Sequence, residues 1–505
     1  MKLENILQKY FGFTDFRPGQ KEVIASLLAG QSTLAMLPTG SGKSLCYQLP
    51  AYILNKNIII VSPLLSLMQD QAEQLKMRGE KKVISLNSFL SHKQKQAALN
   101  QLGRYRFIFL SPEMLRMSSV MATLKRLDIG LFVVDEAHCI SQWGYDFRPD
   151  YLNLGGIRAE LNNPLTLALT ASATVEVRTD IAEKLRLSSP TQIITSIDRK
   201  NIALTVEKLA SYDDKLERLI ELTSEIKGSG IIYFSSKKLA ESAAALLTEK
   251  GIKDVSFYHG GMEQEQRMLM QQQFLCGQIR IICATSAFGM GINKEDVRFV
   301  IHFHLPMGME AYVQEIGRAG RDGKQSVAIL LYSAGDEGLP IRLAEQELPT
   351  SIQIEESCRF LSSEGLNASQ LPQSVQLDLM AKYSLNETQL RFILAFIKDS
   401  NPAQKAGELI GYVQERKLVK HEKFSGFFQW LQSSECRRKL LLNYFQEEKK
   451  AIIPYCCDNC GFSNARLFEE LPAGNQQNST VEQNFSWKKE LESILLLKRA
   501  VINEK

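Results

Sequence analysis

A chain of 505 residues has room for two to four domains, each with an ample core. Its 44% hydrophobic and 23% charged residues are the proportions of a soluble globular protein, and no apolar run is long enough to span a membrane. A net charge of +4 is too small over this length to argue for nucleic acid, so any basic footprint has to be local.

The first residues, Met1-Lys2-Leu3-Glu4-Asn5, open an amphipathic segment rather than a signal peptide, and the expected location is cytoplasmic. Nine cysteines are present. Cys46, Cys139, Cys276, Cys283 and Cys358 are scattered, mostly in apolar surroundings, and read as buried thiols. Cys436, Cys456, Cys457 and Cys460 cluster near the C-terminus, where metal is expected rather than disulfides.

Residues 11 to 20 read FGFTDFRPGQ and offer an aromatic ring (Phe13), a cation (Arg17) and an amide (Gln20) before a helical run, Lys21 to Leu28. A Gln side chain both donates to and accepts from an adenine edge, and Phe13 can stack on the base; plain helix-entry chemistry is the alternative. Ser32 to Leu37 is strand-like, Pro38-Thr39-Gly40-Ser41-Gly42-Lys43-Ser44 follows, and Leu45 to Leu54 reads as a helix. That order makes a phosphate cradle. Backbone amides and the helix N-terminus face the anion, Lys43 reaches the outer phosphates and Ser44 binds Mg²⁺. Leu37 stands where the strict GxxxxGKS pattern has its first glycine.

Strands and helices go on alternating. Ile58 to Pro63 is a strand ending in a turn, Leu64 to Leu75 is helical, and Phe107 to Glu113 repeats the strand-to-Ser-Pro pattern. Leu131 to Val134 is a buried strand, with Asp135 and Glu136 at the carboxyl end, where open α/β sheets place their ligands. Asp135 can hold the Mg²⁺ that Ser44 touches, and Glu136 can polarise the attacking water. A few residues on, Trp143, Tyr145, Phe147 and Tyr151 interleave with Arg148. Gly144, Asp146 and Pro149 break any regular element there, so a surface on which bases stack is expected rather than a core cluster. Leu167 to Thr174, LALTASAT, is another strand closing in small hydroxyl residues, placed to link a nucleotide site to a bound strand.

In this order the stretches resemble the motifs of a superfamily-two helicase. FRPGQ, PTGSGKSLCYQ and above all CISQWGYDFRPDY resemble the RecQ family of DNA helicases; Tyr145 and Ser172 stand where that family commonly has His and Thr. The resemblance implies two RecA-like lobes with parallel sheets that clamp ATP and move 3′ to 5′ along one DNA strand. It implies that Phe13, Arg17 and Gln20 hold the base of ATP, that Thr39, Gly40, Ser41, Gly42, Lys43 and Ser44 hold its phosphates, and that Trp143, Phe147 and Arg148 touch DNA.

The second lobe is expected from residue 206. Ser211 to Lys227 reads as a helix, and Gly230 to Ser235, Asp254 to Gly261 and Ile279 to Ala284 as strands. The stretch Ala287 to Ile292 again resembles RecQ, with Asn293 and Lys237 in place of that family's usual Asp and Arg. Tyr312 to Gly323, YVQEIGRAGRDG, sets Arg318 and Arg321 three apart, as on one helical face able to reach one phosphate group. By resemblance Arg321 is an arginine finger that stabilises charge as the γ-phosphate departs, and Arg318 is a second phosphate contact.

Residues 336 to 430 read as helical, with breaks at Pro349, Pro372 and Pro402. Ser374 to Tyr383 and Glu387 to Lys398, with Asn386 and Gln389 as a cap, form a candidate helix-turn-helix; simple helix packing is the alternative. A helix-borne Cys436 with Cys456, Cys457 and Cys460 resembles the RecQ zinc module, and four thiolates suit tetrahedral Zn²⁺. The adjacent Cys456-Cys457 pair departs from the family's spacing and leaves open whether three or four thiols reach the ion. The expected division is a first lobe over 1–205, a second over 206–335, a helical region over 336–430, a zinc module over 431–464, and a linker with a C-terminal helix over 465–505. That leaves no room for the winged helix and the helicase-and-RNase-D-like domain that many RecQ proteins carry.

The expected protein is thus an ATP-dependent DNA helicase of the α/β class. It would use ATP, Mg²⁺ and Zn²⁺ on single-stranded and partly duplex DNA in repair, recombination or replication. A nucleoid-associated location goes with this, and single-strand-binding or recombination proteins are candidate partners. The rivals are an RNA helicase, a duplex translocase that does not separate strands, and a non-enzymatic DNA-binding protein. Intact Lys43, Asp135, Glu136 and Arg321 argue against the last.

Overall fold

The computed structural model describes residues 2–63, 65–87, 90–141, 149–289, 294–366, 368, 371–397 and 401–472. The expected tail helix from Trp487 and its linker therefore lie outside the described residues.

Among the described residues, short apolar runs bounded by turns give thirteen strands in two sheets. The first sheet takes β1 (Thr33–Met36), β2 (Asn57–Val61), β3 (Val83–Leu86), β4 (Phe107–Leu110), β5 (Ile129–Val134), β6 (Thr166–Thr170) and β7 (Thr191–Ile194), in the order β3-β4-β2-β5-β6-β1-β7. Every pairing is parallel. Parallel sheets are covered on both faces, and these strands divide their side chains accordingly. Ala35, Ile58, Ile60, Phe107, Phe109, Leu131 and Val133 enter one core with Val23, Tyr47 and Met68. Leu34, Met36, Ile59, Val61, Ile108, Leu110, Phe132 and Val134 enter the other, with Leu115, Val120 and Ile157.

The second sheet takes β8 (Ile202–Leu209), β9 (Ser229–Tyr233), β10 (Val255–Tyr258), β11 (Ile281–Ala284), β12 (Val297–His302) and β13 (Ser326–Ser333), in the order β10-β11-β9-β12-β13-β8, again all parallel. It starts at Ile202 rather than at residue 206. The run from Ile202 to Leu209 is one strand, paired residue by residue with β13.

Helices Ser351–Ser363, Gln373–Lys382, Glu387–Phe396 and Pro402–Gln432 share a core of their own around Ile354, Leu361, Leu379, Leu390, Ile393 and Leu409. Pro402 sits at the first turn of its helix and Pro372 caps another, where proline costs no hydrogen bond. The two helices of the candidate helix-turn-helix, Gln373–Lys382 and Glu387–Phe396, both pack into this core. Gln389, at the start of the second helix, is buried and donates to Gln346 O at 3.0 Å and Leu348 O at 3.2 Å. Glu387, Thr388 and Arg391 on the same helix stay exposed. Of the five scattered cysteines, Cys276 is exposed and the other four are buried, because it caps the helix Gln264–Leu275 at the surface.

Candidate functional site

Strands β1, β5 and β6 are neighbours in the first sheet, so the segments that leave their carboxyl ends converge. Thr39 to Ser44 leave β1, Asp135 and Glu136 leave β5, and Ser172 leaves β6. Gly40 and Gly42 adopt φ of +85° and +75°, which only glycine takes at little cost. A Cβ on Gly42 would sit 2.8 Å from Gln20 Nε2, and one on Gly40 would sit 2.8 Å from Arg321 Cγ. The turn is thus a backbone cradle closed by side chains from both lobes.

Gln20 donates to Ser41 O at 2.8 Å and Gly42 O at 3.1 Å, and its own carbonyl oxygen accepts from Arg17 N at 2.9 Å. Arg17 donates to Gly40 O and lies 3.9 Å from Glu295 of the second lobe. Phe13 is 50% exposed beside them. All three line a cleft of about 300 Å³ with Lys43, Ser44, Asp135, Glu136, Arg318 and Arg321.

Lys43 Nζ lies 3.8 Å from Glu136 Oε1. Asp135 is buried, and loss of solvation together with the neighbouring Glu136 pushes its carboxyl up to about 6, against the pull of Lys43. A buried carboxylate beside a second acid and a serine is a donor set that suits a hard divalent cation. Glu136 is held at φ +48°, a left-handed conformation that costs a non-glycine residue roughly 1–3 kcal/mol. Its neighbours hold it there. Glu136 N donates to Asp135 Oδ1 at 3.0 Å, and His138 Nδ1 stands 3.4 Å from Glu136 Oε2 and 3.0 Å from Thr170 Oγ1 on β6. Tyr151 does not belong to a stacking surface. It is fully buried and its hydroxyl donates to Asp135 O at 3.2 Å. Trp143, Tyr145, Phe147 and Arg148 lie outside the described residues.

From the second lobe, the helix Met309–Ile316 ends at Gly317. Arg318 and Arg321 therefore stand on the turn beyond it, not on one helical face. Gly320, at φ +54°, breaks the helix between them. Arg318 is buried and donates to Gly289 O. Arg321 packs along Gly40. Loss of solvation, with Arg318 and Arg199 nearby, presses its guanidinium down to about 9, so it stays cationic at neutral pH. Gln314, Gln71 and Arg199 belong to this region as well. Gln314 and Gln71 line the cleft, and Gln71 accepts from Tyr47 and bonds Asp135. Of these, only Gln314 fell in a stretch that the motifs marked.

Cys436, Cys456, Cys457 and Cys460 bring four sulfurs within 4.8 Å of one another. Cys436 is the N-cap of the helix Arg437–Tyr444 rather than part of it. Sγ separations within the cluster include 3.6 Å (Cys436–Cys456), 4.0 Å (Cys436–Cys457) and 3.4 Å (Cys457–Cys460). Four thiolates at ~2.3 Å around a tetrahedral Zn²⁺ stand about 3.8 Å apart, so the cluster fits that ion. The adjacent pair Cys456-Cys457 contributes both thiols. Lys449 Nζ, 3.1 Å from Cys456 Sγ and 3.5 Å from Cys436 Sγ, adds a cation beside them.

Three family models match the chain: DEAD/DEAH box helicase over residues 17–181, helicase conserved C-terminal domain over 214–323, and RecQ zinc-binding over 394–461. The probable ATP-dependent DNA helicase RecS of Bacillus subtilis (strain 168) is 44% identical over 500 residues, 98% of each chain. The chain belongs to the RecQ helicase family. The ATP-dependent DNA helicase RecQ of Haemophilus influenzae is 42% identical over 334 residues, 66% of this chain and 53% of its own length, so the chain spans about half of that RecQ. The fold is shared more widely. The Mycobacterium smegmatis helicase Lhr, solved with single-stranded DNA and AMP-PNP, superposes with a TM-score of 0.56 at 20% identity, over 84% of this chain and 57% of its own. Within the RecQ family the two helicase domains account for the cleft, and the zinc-binding domain accounts for the thiol cluster.

Proposed function

We propose that the chain is an ATP-dependent DNA helicase that moves 3′ to 5′ along a single strand, with ATP hydrolysed in the cleft between its lobes. The observation that carries the proposal is the packing of Arg321, from the second lobe, on Gly40 of the phosphate turn of the first. A cation from one lobe seated on the cradle of the other makes hydrolysis depend on lobe closure, and closure is what moves a strand. RecS and RecQ are named as ATP-dependent DNA helicases, and the polarity is the one the RecQ resemblance implies.

Each residue then has a task. Thr39, Gly40, Ser41 and Gly42 present backbone amides to the phosphates and Lys43 neutralises the outer ones. Phe13 stacks on the base, while Arg17 and Gln20 fix the turn beneath it. Ser44 and Asp135 hold Mg²⁺, which when bound withdraws charge from the phosphate oxygens. Glu136 orients the attacking water, and His138 carries its position to Thr170. Arg318 and Arg321 meet the charge that develops on the transferred group. Trp143, Phe147 and Arg148 stack on and contact the DNA strand. The four cysteines hold one Zn²⁺. Residues 195–201 join the ATP-binding lobe to the second lobe, and helices 338–432 carry the chain on to the zinc module.

The test is ATP turnover with single-stranded DNA, duplex DNA and RNA, and strand separation on forked, 3′-tailed and 5′-tailed duplexes. Stimulation by single-stranded DNA and ATP-dependent opening of the forked and 3′-tailed substrates are expected. Equal stimulation by RNA, or turnover on duplex DNA without opening, would replace the proposal with one of its rivals.

A further inference from the structure

We infer that Arg199 is a positioning residue for ATP hydrolysis, spanning the two lobes and setting the turn that carries Arg318 and Arg321 against the phosphate turn. The inference rests on the ATPase proposed above. Arg199 lies in the crossing between β7 and β8. Its Nη1 donates to Thr39 O, on the first lobe, at 3.1 Å and to Gly317 O, on the second, at 3.0 Å. Its Nη2 donates to Ala319 O at 2.9 Å and Gly320 O at 2.6 Å. One guanidinium thus ties Thr39 to the backbone on either side of Arg318 and just before Arg321.

The chemistry explains why an arginine is needed. The carbonyls at the end of the helix Met309–Ile316 have no partners within the helix, and a cation there also meets the negative end of its dipole. Among the described residues no carboxylate pairs with Arg199, and loss of solvation lowers its pKa. Four backbone carbonyls take its hydrogen bonds, and Asp322 nearby adds a weaker attraction. A planar fork with two terminal nitrogens can serve both lobes at once, whereas an ammonium is a compact point charge that cannot hold that geometry.

The crossing is itself anchored. Arg438 donates to Arg199 O at 3.0 Å, to Asp198 Oδ1 at 2.6 Å and to Cys456 O at 3.4 Å. Glu447 accepts from Ile197 N at 3.0 Å and from Ser196 Oγ at 2.5 Å. The backbone from Ser196 to Arg199 is thus clamped by the zinc-binding part, and the Arg199 side chain projects from a fixed base. Asn201 gives a natural contrast. It donates to Gly320 O and Lys324 O, each at 2.8 Å, and both acceptors belong to the second lobe.

The experiment compares R199K, R199A, N201A, R321A and the double variant R199A/R321A in the full chain. It measures steady-state ATP turnover with saturating single-stranded thymidine oligonucleotide, binding of a fluorescent ATP analogue, and thermal melting. R199K and R199A are expected to lose kcat on the order of 100-fold, as misplacement of a transition-state group by an ångström does, while keeping nucleotide affinity. The double variant should lose less than the product of the R199A and R321A losses, and N201A should stay close to wild type. If R199A melts early, folded R199K decides. The inference is overturned by wild-type kcat in R199K, by independent losses in the double variant, or by a loss in N201A as large as in R199K. Absence of turnover in the wild type, or full turnover in R321A, would instead overturn the proposed ATPase.

Discussion

Replacing Gly40 with alanine probes the seat of Arg321 directly. Gly40 has φ +85°, where an L side chain costs about 1–2 kcal/mol. Part of this is offset by the alanine's lower entropy when unfolded, about 0.4–1 kcal/mol. Gly12 provides the control. It has φ +73° and nothing within 4 Å of its would-be Cβ, so G12A reports the backbone cost alone. In G40A the new methyl also meets Arg321 Cγ at 2.8 Å, Cδ at 3.2 Å and Cβ at 3.4 Å. The first is roughly 0.7 Å inside the ~3.5 Å at which carbon atoms rest against each other. The contacts run up the stem of Arg321 from its Cβ, so a swing of the guanidinium does not relieve them and the turn itself has to retreat. G40A should therefore be less stable than G12A by up to about 1–3 kcal/mol, the usual cost of overpacking, and still fold. G12A should keep wild-type turnover, and G40A should lose between about tenfold and a hundredfold in kcat. Paired thermal melts and DNA-stimulated ATPase assays make the comparison. Wild-type kcat in a folded G40A would mean that Arg321 does not act from this position.

Four further outcomes are expected. Lys43→Ala should lose both nucleotide binding and hydrolysis while Glu136→Gln loses hydrolysis alone, as measured by analogue binding and phosphate release. Freshly purified protein should contain one Zn²⁺ per chain by elemental analysis, and Cys457→Ser should lose it together with the fold around residues 436–460. His304 is buried, accepts from Ser235 N at 3.2 Å, and is lowered to about 4 by loss of solvation and the nearby Lys215. Its contribution is complete above pH 6.5 and is lost as pH falls through 4, worth roughly 3 kcal/mol across that window; in denaturant melts His304→Asn should flatten this part of the profile. Trp143→Ala should keep basal ATPase and melting temperature yet lose stimulation by single-stranded DNA, and a variant stimulated like wild type would remove the loop from the DNA path.

What could be read in advance follows the range of the forces involved. Strands β1, β2, β4, β5, β6, β9, β10 and β11 are local apolar runs legible in the sequence, whereas β3, β7, β8, β12 and β13 are not marked there; the phosphate turn, the Asp135-Glu136 pair and the clustered cysteines each announce themselves within a few residues. What depended on distant partners was harder to read. Arg199 looks like any loop arginine, because all four of its acceptors lie more than a hundred residues away in the chain. Tyr151 reads as one more aromatic beside Phe147, yet its hydroxyl turns inward to Asp135. Helical spacing extends through Arg321 on paper, but Gly317 and Gly320 release the backbone before Arg318 and Arg321 are placed. The start of the second lobe at Ile202 is set by pairing with β13, which residues 202–206 alone do not reveal.

The strap between the thiol cluster and β8 has a consequence for synthesis. Strand β8 is the edge of the second sheet, and Leu204 N donates to Cys456 O at 3.3 Å beside a parallel bridge to Cys457. These partners are separated by roughly 250 residues of chain, which a ribosome adding about 5–20 residues per second takes tens of seconds to supply. For that interval the second sheet has an unguarded margin of backbone donors and acceptors, the kind of margin on which nascent chains stick to one another. Chains terminated before Cys456 should keep that margin for good and accumulate as aggregates. A segment made roughly 250 residues later thus finishes a strand begun near residue 202.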